Sequence, residues 1–525
     1  MNRHRQSPIV GLLTLSLACA CGDSKTPNDS VQLDNKVATA VATSAPAEAT
    51  TPTAPPEEAP LKYFGNRQLK RVTEPQRYTV QNGGSVLLIV MDATNARHLG
   101  IYGYKRKTSP NIDRLAKQGL LLTNHVSNSS WTRPSFATLI TGLPKKEHQV
   151  ELSGKKLEKE ITTLAERFRA AGYRTAGFVG NPLVREVWGF GQGFQTYRDT
   201  ASFDKAFPPD RVLADRAVEW LQQIGDEPFY LMVFFTSPHV PYRPPRPYRR
   251  FMEALPKARL WEYPYQEYLK PLPEKEHDML VAAYDGDVAY GDANVGRIID
   301  YLEASGKMNR TTVAFTADHG EVFGHHNCYV HAWHMWEPAL RVPLVLASPG
   351  LEEKGVYDDR PYTHVDIAPT LLGAVGIEVP EDELTGVSIF DQLSVPDQGR
   401  KRIRFSQYNA HGIRRQAIRD ERYKLVHHHL VDEKDLEELH SLHPKIPSPD
   451  PKELPTLATD KERYELYDLI EDAEEQTDLY ESKQYADAAK RLTEMLAPYI
   501  GESTGGNVAL SPETIQALKN AGYIR

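Results

Sequence analysis

Short apolar runs alternate with helix-periodic segments from about residue 83 onward. The run SVLLIVMDA (85–93) is continuously apolar and ends in an acid, which is typical of a buried parallel strand. Residues 109–126 follow with helix periodicity, and segments 158–180, 211–239 and 295–320 each repeat a helix followed by a strand. This alternation predicts an α/β fold with a mostly parallel sheet and helices on both faces.

The pattern changes after about residue 400. Residues 414–430 and 463–480 predict short strands joined in a hairpin, and 484–500 predicts a helix. We therefore predict a catalytic domain over 81–399 and a smaller C-terminal α+β subdomain over 400–525. The histidines at 427–429 fit an exposed strand better than a metal site, since no acidic motif accompanies them.

The N-terminus has the pattern of an export signal. Arg3 and Arg5 precede an apolar run of about ten residues that ends in small residues at Cys19 and Cys21. The run is shorter than the roughly 20 residues that a membrane-spanning helix needs. It resembles a bacterial lipoprotein signal with Cys19 or Cys21 lipidated, and an ordinary secretory signal is the alternative. We predict a signal peptide over 1–21 and an exported, membrane-anchored lipoprotein in the periplasm or at the cell surface.

Composition indicates a tether after the signal and gives no support for nucleic acid as a partner. Residues 22–80 are largely rich in Pro, Ala and Thr, and cannot bury enough apolar surface to offset their ordering entropy, which predicts a disordered tether. Beyond the signal the only cysteine is Cys328, so no structural disulfide is expected. The 525 residues carry a net charge of -8, which gives no support for nucleic-acid binding.

Charged side chains stand where predicted strands end. Asp92 closes the first strand, Asp318 and His319 close the strand within 295–320, and His239 follows the run at 228–239. Acids and imidazoles directly after buried strands are poorly placed for core packing, whereas chemistry in such sheets gathers at the carboxyl ends of strands. These residues are therefore candidate ligands or catalytic groups.

The segment SWTRPSFATLITG (130–142) predicts a turn that carries a nucleophile and runs into a short helix, with Thr132 at the nucleophile position. Its oxygen could join those of Asp92 and Asp318 and the nitrogen of His319 around one divalent cation. A bound cation lowers the pKa of an oxygen acid, which would activate a threonine without an adjacent base. The alternative is that the strand-end acids are helix caps or loop ligands. One imidazole with oxygens favours Zn or Mn, while Ca and Mg stay open.

Several of these segments, in this order, resemble the sulfatase family. WTRPSFATLITG is similar to the sulfatase signature, in which a Cys or Ser is followed by x-Pro-Ser-Arg and later by Thr-Gly. The resemblance covers the chain from about residue 85 to the C-terminus, and its other landmarks are 316–327, 340–350, 363–372, 463–480 and 510–524. It implies an alkaline-phosphatase-like α/β fold and hydrolysis of sulfur or phosphorus esters.

The chain also departs from the family pattern. Sulfatases oxidise a Cys or Ser to formylglycine, and Thr132 cannot give that aldehyde. Phe136 stands where the signature has arginine, Ala93 where a second acid is usual, and Asn95 and Arg97 where related bacterial members tend to have arginine and aspartate. The chain is therefore similar to superfamily branches with an unmodified threonine, which include nucleotide phosphodiesterases and phosphoethanolamine or glycerol-phosphate transferases.

Four histidines complete the candidate site. The resemblance implies that His239 touches the substrate's sulfuryl or phosphoryl oxygens, and it could also be the general acid for the leaving alcohol; bracing a Pro-rich turn is the alternative. His326 and His331 follow the second metal segment, and either could contact the substrate, or a second metal together with His364. We assign a catalytic role to His331 and substrate binding to His326. His364 and Asp366 fit buried hydrogen-bonding partners equally well, and no complete second metal set emerges.

Together these features predict an exported metal-dependent hydrolase that takes an anionic sulfuric or phosphoric ester. The threonine favours phosphorus chemistry slightly, whereas the landmarks favour a sulfatase. A phosphoryl-group transferase is the alternative if the acceptor is an alcohol, and a catalytically inactive surface binding lipoprotein is another. Residues 243–269 are rich in aromatic and basic residues, which fits an insertion over the site or a solvated loop.

Overall fold

The structure is a computed structural model that describes residues 69–500 except 152–154, 203–208, 254, 256–270, 332, 381, 397–401, 411–412 and 430–461. The described residues all lie in one compact unit that begins at Pro56. The predicted signal peptide, most of the tether and most of the predicted insertion lie outside these residues, so the four domain boundaries stay predictions. Within the described part, no helix has both the length and the apolar character needed to cross a membrane.

The strands of the described residues are, in chain order, β1 (Lys70–Arg71), β2 (Ser85–Met91), β3 (Leu120–Leu122), β4 (His125–Val126), β5 (Arg174–Val179), β6 (Thr196–Arg198), β7 (Phe229–Phe235), β8 (Thr311–Thr316), β9 (Phe323–His325), β10 (Cys328–Tyr329), β11 (Leu344–Ala347), β12 (Val356–Asp358), β13 (Tyr362–Thr363), β14 (Arg404–Ala410), β15 (Ile413–Arg419), β16 (Tyr423–His428) and β17 (Arg463–Asp468).

The α-helices are α1 (Pro110–Lys117), α2 (Thr132–Thr141), α3 (Lys145–His148), α4 (Leu164–Ala170), α5 (Asp210–Gln223), α6 (Arg250–Glu253), α7 (Glu274–Ala304), α8 (Glu337–Leu340), α9 (Ile367–Ala374), α10 (Ile389–Leu393) and α11 (Ala486–Leu496).

A nine-stranded sheet in the order β1-β12-β3-β11-β8-β2-β7-β5-β6 forms the centre of the molecule. Its pairings are parallel except that β11 runs antiparallel to both β3 and β8. The prediction of a mostly parallel α/β sheet is therefore confirmed. Because β7, β2 and β8 are parallel neighbours, the loops that follow them leave the same edge of the sheet.

Alternation along β2 shows how the sheet is covered on both faces. Leu87, Ile89 and Met91 join a core cluster with apolar residues of α1, α5 and α7. Val86, Leu88 and Val90 point into a second cluster with α2, α4 and α9. Every residue of β2 is buried, which explains its continuous apolar run.

A separate four-stranded antiparallel sheet, β14-β15-β16-β17, follows the catalytic part. One face is covered by α11, where Ile418, Leu425 and Leu492 pack together. The other face packs in a cluster with Trp131, immediately before Thr132, and with Trp336. The hairpin and helix predicted for this region are confirmed, and the sheet borders the segment that carries the candidate nucleophile. The prediction of an exposed strand at the histidines was wrong, since His427 and His428 are buried in β16.

One predicted helix is shorter than its pattern indicated. The helix predicted over 109–126 ends at Lys117, and Leu120–Leu122 form β3 instead. These three leucines pair with β11 on one side and β12 on the other, and all are buried. A run of three leucines fits a helix or a strand equally well, and tertiary pairing decides between them here.

Candidate active site

Two neighbouring strand ends bring the predicted acids together. Asp92 follows β2 directly, and its amide donates to the carbonyl of Phe235 at 3.0 Å, which extends the ladder between β2 and β7. Asp318 and His319 follow β8, the other neighbour of β2. All three side chains are fully buried.

Thr132 is the first residue of α2, so its side chain lies at the N-terminus of a buried helix. Its Oγ1 lies 3.2 Å from Nε2 of His319. Unpaired amides and the helix dipole make a helix N-terminus favourable for anions, which suits a group that attacks a sulfuryl or phosphoryl centre. The structure thus places Thr132 beside the strand-end residues.

The ligand atoms are close enough to share one ion. Nε2 of His319 lies 3.7 Å from Oδ1 of Asp92 and 3.5 Å from Oδ2 of Asp318. One ligand atom from each of the three residues can be chosen so that all lie within 4.8 Å of one another. Atoms that bind one ion at about 2 Å lie about 3 to 4 Å apart, so the spacing matches shared coordination.

The hydrogen bonds of Asp92 and Asp318 leave one oxygen of each carboxylate available to bind an ion. Oδ1 of Asp92 and Oδ2 of Asp318 are buried and accept no hydrogen bond. The second oxygen of Asp92 accepts from Nδ2 of Asn181 at 2.5 Å, and that of Asp318 accepts from the amides of Ala93 at 3.1 Å and His319 at 2.9 Å. Each carboxylate is therefore fixed by one oxygen while the other faces the cluster.

The ring of His319 is oriented in the same way. Its Nδ1 lies 3.0 Å from the carbonyl of Gly320, which can only accept, so Nδ1 carries the proton. Nε2 then presents a lone pair to the cluster, as a metal-binding imidazole does. The residues present therefore fit a divalent cation bound by Asp92, Asp318 and His319 with Thr132 beside it.

Electrostatics favours a cation in this cluster. Burial raises the pKa of Asp92 well above its ordinary value, and the neighbouring Asp318 carboxylate raises it further. Burial also raises the pKa of Asp318, against the opposing effect of His319. Two buried carboxylates at this spacing are costly to ionise together unless positive charge lies between them. In the described part of the chain, this is the one group of three or more His, Cys, Asp or Glu that could hold a metal.

Ala93 takes a strained backbone conformation next to Asp92. Its φ of 52° lies in the left-handed region, which residues other than glycine rarely adopt. The conformation is held from both sides, since the Ala93 amide donates to Asp318 and its carbonyl accepts from the hydroxyl of Tyr284 at 2.8 Å. The position of the second family acid is thus occupied by a residue that fixes the loop through its backbone.

His331 lies at the cluster and is held by a buried acid. Its ring centroid is 4.3 Å from that of His319. Its Nδ1 lies 3.2 Å from both carboxylate oxygens of Glu321, and Glu321 also accepts from the hydroxyl of Tyr242 at 2.8 Å. Burial raises the pKa of Glu321 to about 8. The opposite edge of the His331 ring remains for a reacting group.

His239 also lies beside His331, with 4.9 Å between the ring centroids. Its Nδ1 is 2.6 Å from the carbonyl of Val240, so that nitrogen donates. Burial lowers the pKa of both His239 and His331 well below the ordinary value, and His319 lowers both further. The structure therefore brings two predicted catalytic histidines to the Thr132 cluster, and their roles stay predictions.

His326 is directed elsewhere. Its Nε2 lies 2.7 Å from the carbonyl of Glu475 in the C-terminal part, and its ring contacts Trp336. The positive φ values of His326, Asn327 and Val330 turn the chain between the two histidines, so that His331 returns to the cluster. The geometry thus gives the predicted substrate-binding role of His326 no support.

Other predicted residues have structural contacts. His364 lies 3.0 Å through Nδ1 from the hydroxyl of Ser135, and Asp366 forms a bidentate pair with Arg402 at 2.6 and 2.8 Å. Both are therefore buried hydrogen-bonding partners, which was one of the two interpretations of the sequence. Phe136, where the signature has arginine, is fully buried in an aromatic core cluster.

Three residues of the site were not predicted from the sequence. Asn181 binds Asp92, while Glu321 and Tyr242 support His331. Asn181 follows β5 in the same way that Asp92 follows β2, so the strand-end pattern could have identified it. Glu321 and Tyr242 lie in irregular loops, where no periodicity indicates the direction of a side chain.

Comparison with known protein families shows the family to which this chain belongs. Residues 85–377 match the Sulfatase family, and residues 324–463 match the C-terminal family described as N-sulphoglucosamine sulphohydrolase. The first match covers more than half of the chain. The chain belongs to the sulfatase family, and it is an ester hydrolase of the alkaline phosphatase superfamily.

Individual relatives agree with this family. The uncharacterized sulfatase YidJ of Escherichia coli is 27% identical over 376 residues, which cover 61% of this chain and 73% of YidJ. The N-acetylglucosamine-6-O-sulfatase of Bacteroides thetaiotaomicron is 22% identical over 523 residues, which cover 82% of this chain and 88% of the relative.

Two solved structures confirm the predicted alkaline-phosphatase-like fold. One is a protein in complex with its substrate D-glucosamine-2-N,6-O-disulfate, with a TM-score of 0.63 and 20% identity over 80% of this chain and 97% of that protein. The other is the phosphonate monoester hydrolase of Agrobacterium radiobacter, with a TM-score of 0.63 and 22% identity over 82% of this chain and 100% of that protein.

Proposed function

We propose that this chain is an exported metal-dependent hydrolase that cleaves sulfuric or phosphoric esters with unmodified Thr132 as the nucleophile. The observation that carries the proposal is the position of Thr132 Oγ1, 3.2 Å from Nε2 of His319 and beside two buried carboxylates with unpartnered oxygens. Asp92, Asp318 and His319 would hold the cation with the threonine oxygen as a further ligand.

A divalent cation bound there supplies positive charge, which lowers the pKa of an oxygen acid and stabilises the non-bridging oxygens of the ester. Thr132 Oγ1 forms a bond to sulfur or phosphorus as the bond to the leaving oxygen breaks on the opposite side. The amides at the start of α2 favour the same oxygens. The proton of the Thr132 hydroxyl passes to solvent before the attack. Water then cleaves the bond between Oγ1 and sulfur or phosphorus, which releases the sulfate or phosphate product, and Oγ1 regains a proton from solvent.

His331 and His239 supply the proton and contact the substrate in this proposal. His331, held at Nδ1 by Glu321, gives a proton to the leaving oxygen and takes one back from the attacking water. His239 contacts the non-bridging oxygens. Burial lowers the pKa of both histidines, but an entering anionic ester favours their protonated forms and opposes that effect.

Ligand chemistry favours Zn or Mn over Ca, because one imidazole stands among oxygen ligands, and Mg remains an alternative. The names of relatives favour sulfate esters of sugars as the first substrates to test. The likeness to a phosphonate monoester hydrolase and the unmodified threonine favour phosphorus esters.

We also propose that the chain is exported and anchored by a lipid on Cys19 or Cys21, with residues 22–80 as the tether. The basic start, short apolar run and small residues before these cysteines support this part of the proposal. Mutation of both cysteines to Ser should release the protein from the membrane fraction. Retention of the double variant in that fraction would contradict lipid anchoring.

The main test compares Thr132→Ala with wild type and Thr132→Ser after metal reconstitution, on panels of sulfate esters, phosphate monoesters and phosphate diesters. We expect Thr132→Ala to lose at least about a thousandfold in kcat, because a catalytic nucleophile is absent. Thr132→Ser keeps a hydroxyl and should retain measurable activity. Equal rates in wild type and Thr132→Ala would remove Thr132 from the mechanism, and absence of any stoichiometric divalent ion would favour a binding protein.

A further inference from the structure

A basic pocket with a volume of about 530 Å³ lies beside the loop that follows Asp92. Its lining includes three cationic side chains, those of Arg97, Lys105 and Arg106, and the single carboxylate of Glu474. The lining therefore has an excess of positive charge, which falls to about one charge when the carboxylate of Asp285 that pairs with Arg106 is counted, although the whole chain has a net charge of -8. Such local concentration of one sign of charge attracts ligands of the opposite sign.

A buried carboxylate under the pocket fixes part of this lining. Asp285 is fully buried and accepts from Tyr104 at 2.7 Å, Arg106 at 2.6 Å and His98 at 2.8 Å. Arg106 uses Nη1 for this contact. Its guanidinium is thus held in place before any ligand arrives, which reduces the entropy that binding would cost.

The carboxylate of Glu474 contacts one of the cationic side chains of the pocket. Its carboxylate lies 2.6 Å from Nη1 of Arg97, and its side chain is 58% exposed. Arg97 also donates to the carbonyl of Ala473 at 3.3 Å, so the guanidinium stays in place when Glu474 moves. Lys105 is exposed and forms no ion pair with any acid of the described residues. An exposed carboxylate on a fixed guanidinium occupies the place that an external anion would take.

The pocket has a fixed relation to the cluster around Thr132. Arg97 is five residues after Asp92, so their Cα atoms lie at most about 18 Å apart. The loop between them is rigid, because Asn95 accepts from the amide of Arg97 at 2.9 Å and donates to the carbonyl of Glu321 at 2.9 Å. A substrate whose two charged groups have a comparable separation would be needed to contact both places.

We propose that this pocket binds a second anionic group, a sulfate or a carboxylate, of the ester that is cleaved at Thr132. The substrate would then carry at least two negative groups, as a multiply sulfated or uronate-containing saccharide does. The inference rests on the proposed function for the identity of the ester. The binding of the second anion is measured separately from turnover.

The experiment uses the Thr132→Ala protein loaded with metal, so that ligands are bound without cleavage. Calorimetry measures Kd for three disaccharides, which carry one sulfate, two sulfates, or one sulfate and one uronate carboxylate. We expect both doubly charged ligands to bind more tightly than the monosulfate. Adding Lys105→Gln should reduce that advantage by about three- to fivefold, while adding Glu474→Gln should increase it because a competing carboxylate is removed.

Lys490→Gln, an exposed lysine on α11, is the matched control and should change none of the three Kd values. Opposite effects of Lys105→Gln and Glu474→Gln, both weakened at high salt, would support the pocket. Equal Kd values for the three ligands, or effects no larger than that of Lys490→Gln, would overturn it. If the pocket variants behave as expected but wild type cleaves none of the esters, the proposed function fails and the anion pocket stands.

Discussion

Two groups of buried carboxylates differ in the source of the positive charge that compensates them. In the active site, Asp92 and Asp318 are fully buried, and each has one oxygen without a partner. Near the C-terminal sheet, Glu337 and Glu475 are buried to a similar degree, and each also has one oxygen without a hydrogen bond, but cationic side chains lie beside these carboxylates. Among the described residues, no Lys or Arg pairs with Asp92 or Asp318, whereas Arg419 and Lys424 compensate the second group.

The contacts around the second group show this compensation. Arg419 lies 2.6 Å from Glu337, and Lys424 lies 3.3 Å from Glu337 and 2.5 Å from Glu475. Lys424 is itself fully buried between the two acids. Removal of one side chain from such a buried ion network destabilises the fold, because it leaves a charge of the opposite sign uncompensated.

The pKa shifts have opposite directions in the two groups. Burial would raise the pKa of Glu337, but Arg419 and Lys424 outweigh it and hold the pKa well below its ordinary value. Burial and Asp318 together raise the pKa of Asp92. Glu475 is intermediate, since burial raises its pKa to about 6 against the effect of Lys424. The pKa is thus raised in the acid that has no neighbouring Lys or Arg, which fits the proposed binding of a cation at Asp92.

The largest expected change in the free energy of unfolding comes from a substitution in the group of Glu337 and Glu475. Lys424→Met should reduce the free energy of unfolding by about 3 to 5 kcal/mol, because it leaves buried carboxylates uncompensated. Urea unfolding measures the change. Arg211→Met is the control, since Arg211 pairs with Asp215 at the surface and should change stability by less than about 1 kcal/mol. Similar losses in the two variants would contradict the distinction.

Metal binding should stabilise the group of Asp92 and Asp318. A cation at about 100 times its Kd should raise the free energy of unfolding by about 2.7 kcal/mol, because it binds the folded chain. Thermal unfolding with and without a chelator measures this difference. Asp318→Asn should abolish most of the increment. An unchanged transition in wild type would show that Asp92, Asp318 and His319 do not share an ion.

Glu321 lies between the two cases, since it is buried in the active site but has partners. Glu321→Ala should reduce kcat by about 10- to 100-fold with metal content unchanged, because His331 loses its support. Glu321→Gln should lose less, since its amide oxygen still accepts from Nδ1. Steady-state kinetics with metal analysis measures both variants. Equal losses in the two variants would show that the charge of Glu321 matters rather than the orientation of His331.

The smallest expected effect is a gain in stability rather than a loss. In metal-free protein, Asp92→Asn should leave the free energy of unfolding unchanged or raise it by about 1 kcal/mol, because repulsion with Asp318 disappears. The raised pKa of Asp92 means that the folded chain binds a proton more readily than the unfolded chain. The advantage of the variant is therefore largest above the folded pKa and fades as the pH falls. A clear loss of stability in the metal-free variant would contradict repulsion.

The sequence predicted the parts of the site that strand ends position. Asp92, Asp318 and His319 follow continuous apolar runs, and parallel neighbours bring such ends together. Thr132 was predicted because the helix that it begins has a recognisable sequence. Fold class was predictable for the same reason, since the periodicity of strands and helices reports burial directly.

The sequence did not predict contacts that depend on loops. His326 and His331 lie five residues apart in one segment, and only the left-handed residues between them decide which one reaches the cluster. The pairing of Glu321 with His331 likewise depends on the path of the loop from β9 to β10. Such turns have no periodic pattern, so residue type alone does not show which of the two histidines reaches the cluster.

Trp131 connects the C-terminal sheet to the candidate active site. Its ring centroid lies 5.5 Å from that of His331 and 6.1 Å from that of Tyr408 on β14, so one indole contacts both regions. Exchange of residues 400–525 with those of a distant homologue would alter the contact between Tyr408 and Trp131 and so disturb the backbone that carries Thr132. The two regions therefore share one core cluster at Trp131, and an isolated N-terminal fragment is a poor starting point for engineering.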